Sequence, residues 1–401
     1  MNNNAQIMEG SAAIAEVIAN IKPAVISAYP ITPQTHIVED LAKMKADGKA
    51  TFEYVRAESE FAAASIVLGA SATGVRTYTA TSSQGLLLMV EAVFNMAGMR
   101  LPIVMTCANR GVSAPITIWN DHQDSMTVRD AGWIHFFAEN HQEAIEQHIL
   151  AYKIAENLKI PVMVNVDGFV LTHTYESVSI PTAKEIKNFL PDYKAEKGTY
   201  LDTANPATLG AFTTPAYYMN IREELHNDIR GAQQIIKTEY ENLKKLVPSA
   251  IKQSEAKAIV NNGLIEYYGP KNPKTVIIAM GSVIGTIKDV IDEHNTGTDN
   301  INFLTSGTGV IKIKTYRPFP QDEIVAIVKD AHEIAVIEKA ISLGATDGPL
   351  GLDVKAAIKN KALTKVQTFV VGLGGRDITA DMIKGIIKEV RTKGDEVKFV
   401  K

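Results

Sequence analysis

Only one cysteine, Cys107, occurs in the 401 residues. One thiol cannot close an intrachain disulfide, which agrees with a reducing compartment. It also cannot hold an iron–sulfur cluster, which takes four thiolates. If the protein takes part in electron transfer, the clusters sit on other chains. Cys107 lies in the apolar run Ile103-Val104-Met105-Thr106-Cys107-Ala108 and reads as an inert core thiol rather than a nucleophile. No apolar run approaches the ~20 residues of a membrane-spanning helix. The net charge is -4 with no long basic run, which argues against nucleic acid and against an anionic membrane surface. The polar start Met1-Asn2-Asn3-Asn4 lacks the apolar core of a signal peptide, so the expectation is a cytoplasmic chain. No fixed-period repeat and no low-complexity tract interrupts it.

What is present suffices for sizeable cores. Hydrophobic residues are 46% and charged residues 21%, as in soluble globular chains, and the length suits two or three domains of ~150 residues. Apolar runs alternate with helical spacing. Residues 7–21 predict a helix closed by Lys22-Pro23, and residues 24–28 a buried strand. A helix at 37–44, a strand at 51–55 and an Ala-rich helix at 59–68 follow. The series continues with a strand at 75–80, a helix at 85–99, a strand at 103–107, a helix at 142–157 and a strand at 162–166. This succession implies a parallel sheet covered on both faces. Residues 181–220 lose the periodicity and read as an irregular connection, and 221–246 as a long charged helix. A second α/β unit opens with a strand at 275–280, then a helix, then strands at 334–337 and 366–371.

Four segments invite chemistry. Tyr29-Pro30-Ile31-Thr32-Pro33-Gln34-Thr35 follows the strand at 24–28, and its two prolines fix φ so that Thr32 stands on a stiff, extended turn. Open α/β sheets place ligands at the carboxyl ends of strands, although a plain Pro-rich connection would use the same residues. Gly281-Ser282-Val283-Ile284-Gly285-Thr286 is not Gly-x-Gly-x-x-Gly, lacks an acidic partner and reads as a structural turn. Gly372-Leu373-Gly374-Gly375-Arg376-Asp377 is similar, with Arg376 placed to meet an anion. Asn120-Asp121-His122-Gln123-Asp124 is dense in ligand types, but neighbours on one short segment rarely converge on one ion. No metal-ligating set is therefore read on this chain, and the roles of Asp121 and His122 stay open.

Together with Glu58-Ser59-Glu60, Thr81-Ser82-Ser83-Gln84-Gly85, Asn109-Arg110-Gly111, Trp119 before the Asn120 segment, Asp167-Gly168-Phe169, Thr172-His173-Thr174, Arg317-Pro318-Phe319-Pro320 and residues 374–379, the Tyr29 segment resembles a known family. The match is to the 2-oxoacid:ferredoxin oxidoreductases, and within them to the alpha chain of the multi-subunit pyruvate:ferredoxin enzymes. The segments span nearly the whole chain in family order. The resemblance implies an α/β chain in two parts. A thiamine-pyrimidine-type parallel sheet domain covers 1–230 including the irregular tail, and a helical linker covers 231–254. A smaller transketolase-C-terminal-like α/β domain covers 255–401 and would aid assembly and coenzyme A access.

The activity implied is pyruvate plus coenzyme A plus oxidised ferredoxin giving acetyl-CoA, CO2 and reduced ferredoxin, reversibly, as in anaerobic metabolism. The cofactor implied is thiamine diphosphate, gripped at its pyrimidine by Glu60 with Tyr29 and Pro30. In such enzymes a glutamate contacts the aminopyrimidine ring nitrogen, and Glu60 matches it. The residues alone suggest only that Glu58 or Glu60 caps the Ala-rich helix. Thr32 and Arg110 match the substrate-binding hydroxyl and guanidinium, so Glu60, Thr32 and Arg110 are the expected catalytic residues. A guanidinium fork suits a carboxylate, and a small hydroxyl at 32 favours a monocarboxylate such as pyruvate over oxalate.

The family's magnesium and diphosphate lie on a Gly-Asp-Gly motif. Here the nearest stretch is Val166-Asp167-Gly168, so a beta subunit should carry them. Gamma- and delta-type subunits, with the iron–sulfur clusters and the docking of ferredoxin, complete the implied hetero-oligomer. Departures lie elsewhere. Gly10-Ser11-Ala12-Ala13 replaces Gly-Asn-Glu-Ala, and Glu338-Lys339 with Ser342-Leu343-Gly344 replaces Asp-Arg with Ser-Phe-Gly. Losing the arginine fork argues against an anion or interface role at Lys339. These departures leave 2-oxoglutarate or a branched-chain 2-oxoacid as alternative substrates, and a non-catalytic scaffold subunit as the alternative of another class.

Overall fold

The computed structural model describes residues 5–246, 258–295, 307–362, 364–391 and 397–401. A short strand β1 (Gln6–Glu9) leads into helix α1 (Gly10–Ile21). Strands β2 (Val25–Ala28), β3 (Glu53–Arg56), β4 (Thr77–Thr81), β5 (Val104–Asn109), β6 (Ile134–Phe137) and β7 (Val162–Asp167) then run parallel, in the spatial order β6-β7-β5-β4-β2-β3. Every residue of β4, β5 and β7 is buried, as a parallel sheet sandwiched by helices requires. Helices α2 (Thr35–Ala46), α3 (Glu60–Ala72), α4 (Ser83–Leu88), α5 (Val90–Gly98), α6 (Gln123–Thr127) and α7 (His141–Leu158) supply the cover.

Beyond β8 (Tyr175–Val178) and α8 (Ala183–Phe189), the long helix α9 (Pro215–Leu246) buries a stripe of Leu225, Ala232, Ile236, Tyr240 and Leu243 at helical spacing. A second seven-stranded sheet follows. It contains β9 (Ala258–Asn261), β10 (Ile265–Tyr268), β11 (Thr275–Ala279), β12 (Thr308–Ile313), β14 (Glu333–Glu338), β15 (Lys365–Val370) and β16 (Lys398–Phe399), in the order β16-β15-β14-β11-β12-β10-β9. Strand β13 (Thr315–Arg317) crosses over and pairs antiparallel with β6 of the first sheet. No helix among the described residues is long and apolar enough to cross a membrane.

Several elements differ from the sequence reading. Residues 7–9 are strand, not helix, because β1 pairs antiparallel with β8. The helix waits for Gly10, where a Cβ would lie 2.0 Å from the Leu171 carbonyl oxygen. The helix expected at 85–99 is two, α4 and α5, meeting at Met89. The connection at 181–220 contains α8, opened by a capping box in which Thr182 and Glu185 satisfy each other's backbone N–H. Helix α9 starts at Pro215, since proline suits a first helical turn. It also runs unbroken through the boundary expected at residue 230. Residues 247–254 of the expected linker lie outside the described residues.

The two sheets are tied by buried charge. Asp167, the last residue of β7, accepts from Lys339 Nζ at 2.6 Å, from His122 Nε2 at 2.6 Å and from the backbone N–H of Ser282 at 3.0 Å. Lys339 also donates to Asn120 Oδ1 at 3.0 Å and Ser282 Oγ at 3.2 Å. This overturns the expectation that Lys339 has no interface role. A fork is not needed where three acceptors surround an ammonium with three N–H bonds. A second cluster balances three lysines against three glutamates. Lys312 meets Glu139 at 2.6 Å, Glu143 at 3.2 Å and Glu266 at 2.9 Å, while Lys314 meets Glu143 at 2.9 Å and Lys288 meets Glu266 at 2.6 Å.

Burial alone would raise Asp167, but Lys339 and His122 outweigh it and hold the carboxyl well below the usual carboxylate range. A depressed folded-state pKa means that this stabilisation is complete above the unfolded value of about 4 and is lost as pH falls below it. Asp167→Asn leaves Lys339 buried without its counter-charge. It should lower stability at pH 7 by about 3–5 kcal/mol in urea unfolding, with Asp167→Asn/Lys339→Met recovering part of the loss. A wild-type midpoint in the single variant at pH 7 would contradict this.

Candidate active site

The Thr32 turn leaves the carboxyl end of β2 and is bolted to β4. Gln34, fully buried, donates from Nε2 to the Ala80 carbonyl at 2.7 Å and accepts from the Ile31 N–H at 3.2 Å. Arg110 follows β5 directly. Its Nη1 donates to the Thr32 carbonyl at 2.9 Å and its Nε to the Thr117 carbonyl at 2.7 Å. The structure thus brings Thr32 and Arg110 together through the Thr32 backbone, while the Thr32 hydroxyl bonds to no described residue. The guanidinium is nearly buried, and burial lowers its pKa from the ordinary value, yet a guanidinium stays charged in proteins.

Glu60 opens α3, whose N-cap Ser59 accepts from the Ala62 N–H at 3.1 Å. Ser59 does the capping, so the Glu60 side chain is released from it. Glu60 is 9% exposed, and its carboxylate bonds to no described residue. It packs on Gly85 of α4, where a Cβ would lie 2.9 Å from Glu60 Oε1 and 2.5 Å from Thr81 Oγ1. The same helix reaches the arginine segment, since Ser83 Oγ donates to the Gly111 carbonyl at 2.6 Å. Tyr29 and Pro30 stand exposed on the rim of the turn.

Sequence reasoning missed the residue that organises these parts. Asp124 Oδ2 accepts from the N–H of Ser83 at 3.0 Å and of Arg110 at 2.9 Å, and Oδ1 accepts from Asn109 Nδ2 at 3.0 Å and Ser125 N–H at 2.7 Å. One carboxylate therefore sets the starts of α4 and of the Arg110 segment together. Burial pushes Asp124 up to about 6, against donors that favour its charged form. The rest of that segment diverges. His122 turns to Asp167, and Asp121 accepts from the backbone N–H of Gln123 at 3.0 Å and Gly374 at 3.1 Å. The segment therefore does not converge on one ion.

Gly374 thus turns an N–H to Asp121, and Arg376 beside it is exposed. Cys107 is buried 3.5 Å from Asp124 Oδ2, and burial, then that carboxylate, hold its thiol well above its usual range. Gly281, at φ 79°, lets the turn before the helix Val283–Asn295 approach Asp167, whose carboxylate stands where a phosphate would on such a turn. The Arg317 segment lines a cleft of about 940 Å³ against α9, where Arg317 pairs with Asp130 at 3.1 Å and Asp353 at 2.9 Å.

Comparison with known proteins follows this geometry. Residues 16–241 match the family model described as "Pyruvate flavodoxin/ferredoxin oxidoreductase, thiamine diP-bdg", and residues 274–383 match "Pyruvate:ferredoxin oxidoreductase core domain II". The pyruvate synthase subunit PorA of Methanocaldococcus jannaschii is 46% identical over 393 residues, covering 98% of this chain and 96% of that one. Its namesake in Methanosarcina barkeri is 44% identical over 389 residues, covering 96% and 92%. The ketoisovalerate oxidoreductase subunit VorA of Pyrococcus horikoshii is 36% identical over 387 residues, covering 96% and 93%. Among solved structures, the 2-oxoglutarate:ferredoxin oxidoreductase from Magnetococcus marinus with 2-oxoglutarate, coenzyme A and succinyl-CoA bound matches with a TM-score of 0.69 at 22% identity. That match covers 96% of this chain and 65% of the solved one, and it supports the fold alone.

Asp124 carries a pH signature. Its folded-state value of about 6 lies above the ordinary carboxylate value. The stability it contributes is therefore fully present below about pH 4 and is lost as pH rises through about 6. Against Asp124→Asn, which does not titrate, the wild-type stability margin should shrink by on the order of 3 kcal/mol between pH 4 and 7 and then level off. Urea midpoints of both proteins across this range decide it, and a margin independent of pH would refute the assignment.

Proposed function

The chain belongs to the pyruvate flavodoxin/ferredoxin oxidoreductase family, and we propose that it is the alpha subunit of a pyruvate synthase. The reaction is reversible: pyruvate, coenzyme A and oxidised ferredoxin give acetyl-CoA, CO2 and reduced ferredoxin. The observation that carries this reading is 46% identity to a pyruvate synthase subunit along nearly all of both chains, against 36% for a ketoisovalerate subunit of similar coverage.

The site chemistry supports the same reading. Thiamine diphosphate, when bound, supplies the electron sink for decarboxylating a 2-oxoacid. Glu60 fits its aminopyrimidine, because a nearly buried carboxylate with no described partner needs an N–H donor to offset its desolvation. Glu60 would then hold a proton at the ring nitrogen, and Tyr29 and Pro30 would be the residues of the adjoining turn that hold the ring. Arg110 Nη2 donates to no described residue, which leaves one edge of the fork for the substrate carboxylate. The Thr32 hydroxyl orients the same group.

The chain needs partners for the rest. Asp167, in the stretch nearest to a diphosphate motif, is consumed by Lys339, His122 and Ser282 and is closed to magnesium. We assign magnesium and the diphosphate to a beta subunit, and the iron–sulfur clusters and ferredoxin docking to the other, gamma- and delta-type, subunits of a cytoplasmic complex. Tyr29, Phe61, Leu88, Ile116 and Trp119 are exposed large hydrophobics on or next to the segments that build the site, as a subunit contact would require.

In the assembled complex, Glu60→Ala should lower kcat for pyruvate-dependent ferredoxin reduction by at least ~100-fold with assembly intact. Retained turnover would make the chain a scaffold. Thr32→Val should raise KM for pyruvate by about tenfold through loss of one hydrogen bond to a charged group. Faster turnover of 2-oxoglutarate or 2-oxoisovalerate than of pyruvate by the wild-type complex would move the substrate assignment.

A further inference from the structure

Three side chains outside this site converge from distant parts of the chain. Glu9 ends β1, His36 lies in the first turn of α2 just past the Thr32 turn, and His173 follows β7. Their ligand atoms lie within 4.8 Å of one another. His36 Nδ1 donates to Glu9 Oε1 at 2.6 Å, and the rings of His36 and His173 have centroids 4.5 Å apart. Thr172 Oγ1, which accepts from the Phe169 N–H at 2.8 Å, bonds His173 Nδ1 at 2.7 Å. That bond fixes the His173 ring and leaves its Nε2 as the ligating atom. Phe169 backs the same ring at 4.7 Å between centroids. A metal-bound histidine usually donates its other ring N–H to an oxygen acceptor, and the Thr172 hydroxyl supplies that acceptor here.

We propose that Glu9, His36 and His173 form a site for one divalent transition-metal ion of zinc type. Two imidazoles and one carboxylate suit zinc rather than magnesium or calcium, and they leave a fourth position for water. The ion takes the place of the proton shared by His36 Nδ1 and Glu9 Oε1, and that proton goes to solvent. Tetrahedral ligation at about 2.1 Å puts donor atoms ~3.4 Å apart, so no separation need close by more than roughly 1.4 Å. His36 and Glu9 are partly exposed and free to turn by that much. The bound ion would clip β1 and the loop after β7 to the base of the Thr32 turn. The expectation of no metal set rested on neighbours in sequence, whereas this trio comes from three separated segments.

The test strips the full chain, with whatever partners purify with it, by chelation and then dialyses it against micromolar zinc. Wild type should retain one more zinc per chain than His36→Asn/His173→Asn, and each single variant should bind that zinc at least tenfold more weakly. Zinc should also raise the melting temperature of wild type and not of the double variant. Equal zinc in wild type and double variant would overturn the proposal, as would no zinc retained by wild type. Far-UV circular dichroism establishes that the variants are folded, and Glu9→Gln supplies a further variant if the histidine pair proves necessary for folding. None of these readouts depends on turnover, so the site stands or falls apart from the proposed reaction.

Discussion

The buried carboxylate of Asp167 is the constraint from which the rest of the structure hangs. It ends the interior strand β7, and every partner of its side chain lies elsewhere: Lys339 and Ser282 in the second sheet's unit, His122 in the loop before α6. A charge taken out of water is tolerated only when it is paired and fully hydrogen-bonded. The position of one unit on the other is therefore set by a local requirement that admits few arrangements. The loop carrying His122 is clamped as a consequence. His122 N–H donates to the Lys339 carbonyl at 2.8 Å, and Gly375 lets Trp119 approach so closely that a Cβ there would lie 2.3 Å from the Trp119 Cβ.

The clamp reaches the groups proposed to bind substrate in two bonded steps. The loop held by Lys339 continues into Asp124, and Asp124 holds the N–H groups of Ser83 and Arg110. Arg110 in turn holds the Thr32 carbonyl. Under the proposed function, no residue of the second unit would need to touch substrate for that unit to matter, because it fixes the loop whose carboxylate positions the Arg110 segment. The Lys312, Lys314 and Lys288 cluster acts in parallel at the other side of the contact, where its three glutamates neutralise three ammonium groups. A lone charge there would be far costlier than the balanced set.

How much of this could be read in the amino-acid sequence follows from where each element gets its stability. Strands β5, β7, β11 and β14 are covered on both faces and carry mainly apolar runs that announce themselves, whereas β4 is as fully buried with three threonines in five residues. Strands β1, β8 and β13 exist because a partner more than a hundred residues away offers its edge, and no local pattern encodes that. Lys312 in β12 looks like the solvent side of a half-exposed strand, yet all six residues of that strand are buried. Lys339 looked like a weakened arginine because the geometry of its acceptors is invisible in one dimension. The roles proposed for Thr32, Arg110 and Glu60 come from the family their segments resemble, while the residues alone marked only the Thr32 turn as a place for a ligand. Asp124, their organiser, was taken for part of a cluster.

The same bookkeeping of polar groups explains why this chain reads as half of a catalyst. Natural proteins leave few buried polar groups without partners. Asp124 and Asp167 are saturated by donors from the chain itself. Glu60 differs, since it is nearly as buried but bonds to no described residue and faces a glycine that keeps the space beside it clear. Its capping duty is taken by Ser59, so helix stability does not require it. A carboxylate kept dry and unpartnered costs stability unless a donor arrives, and the apolar side chains exposed around the site keep water away only when another surface covers them. Both features are unfavourable in an isolated chain. Under the proposed function, both would become favourable when a protonatable heterocycle and a partner subunit close the site together, which would couple cofactor capture to assembly.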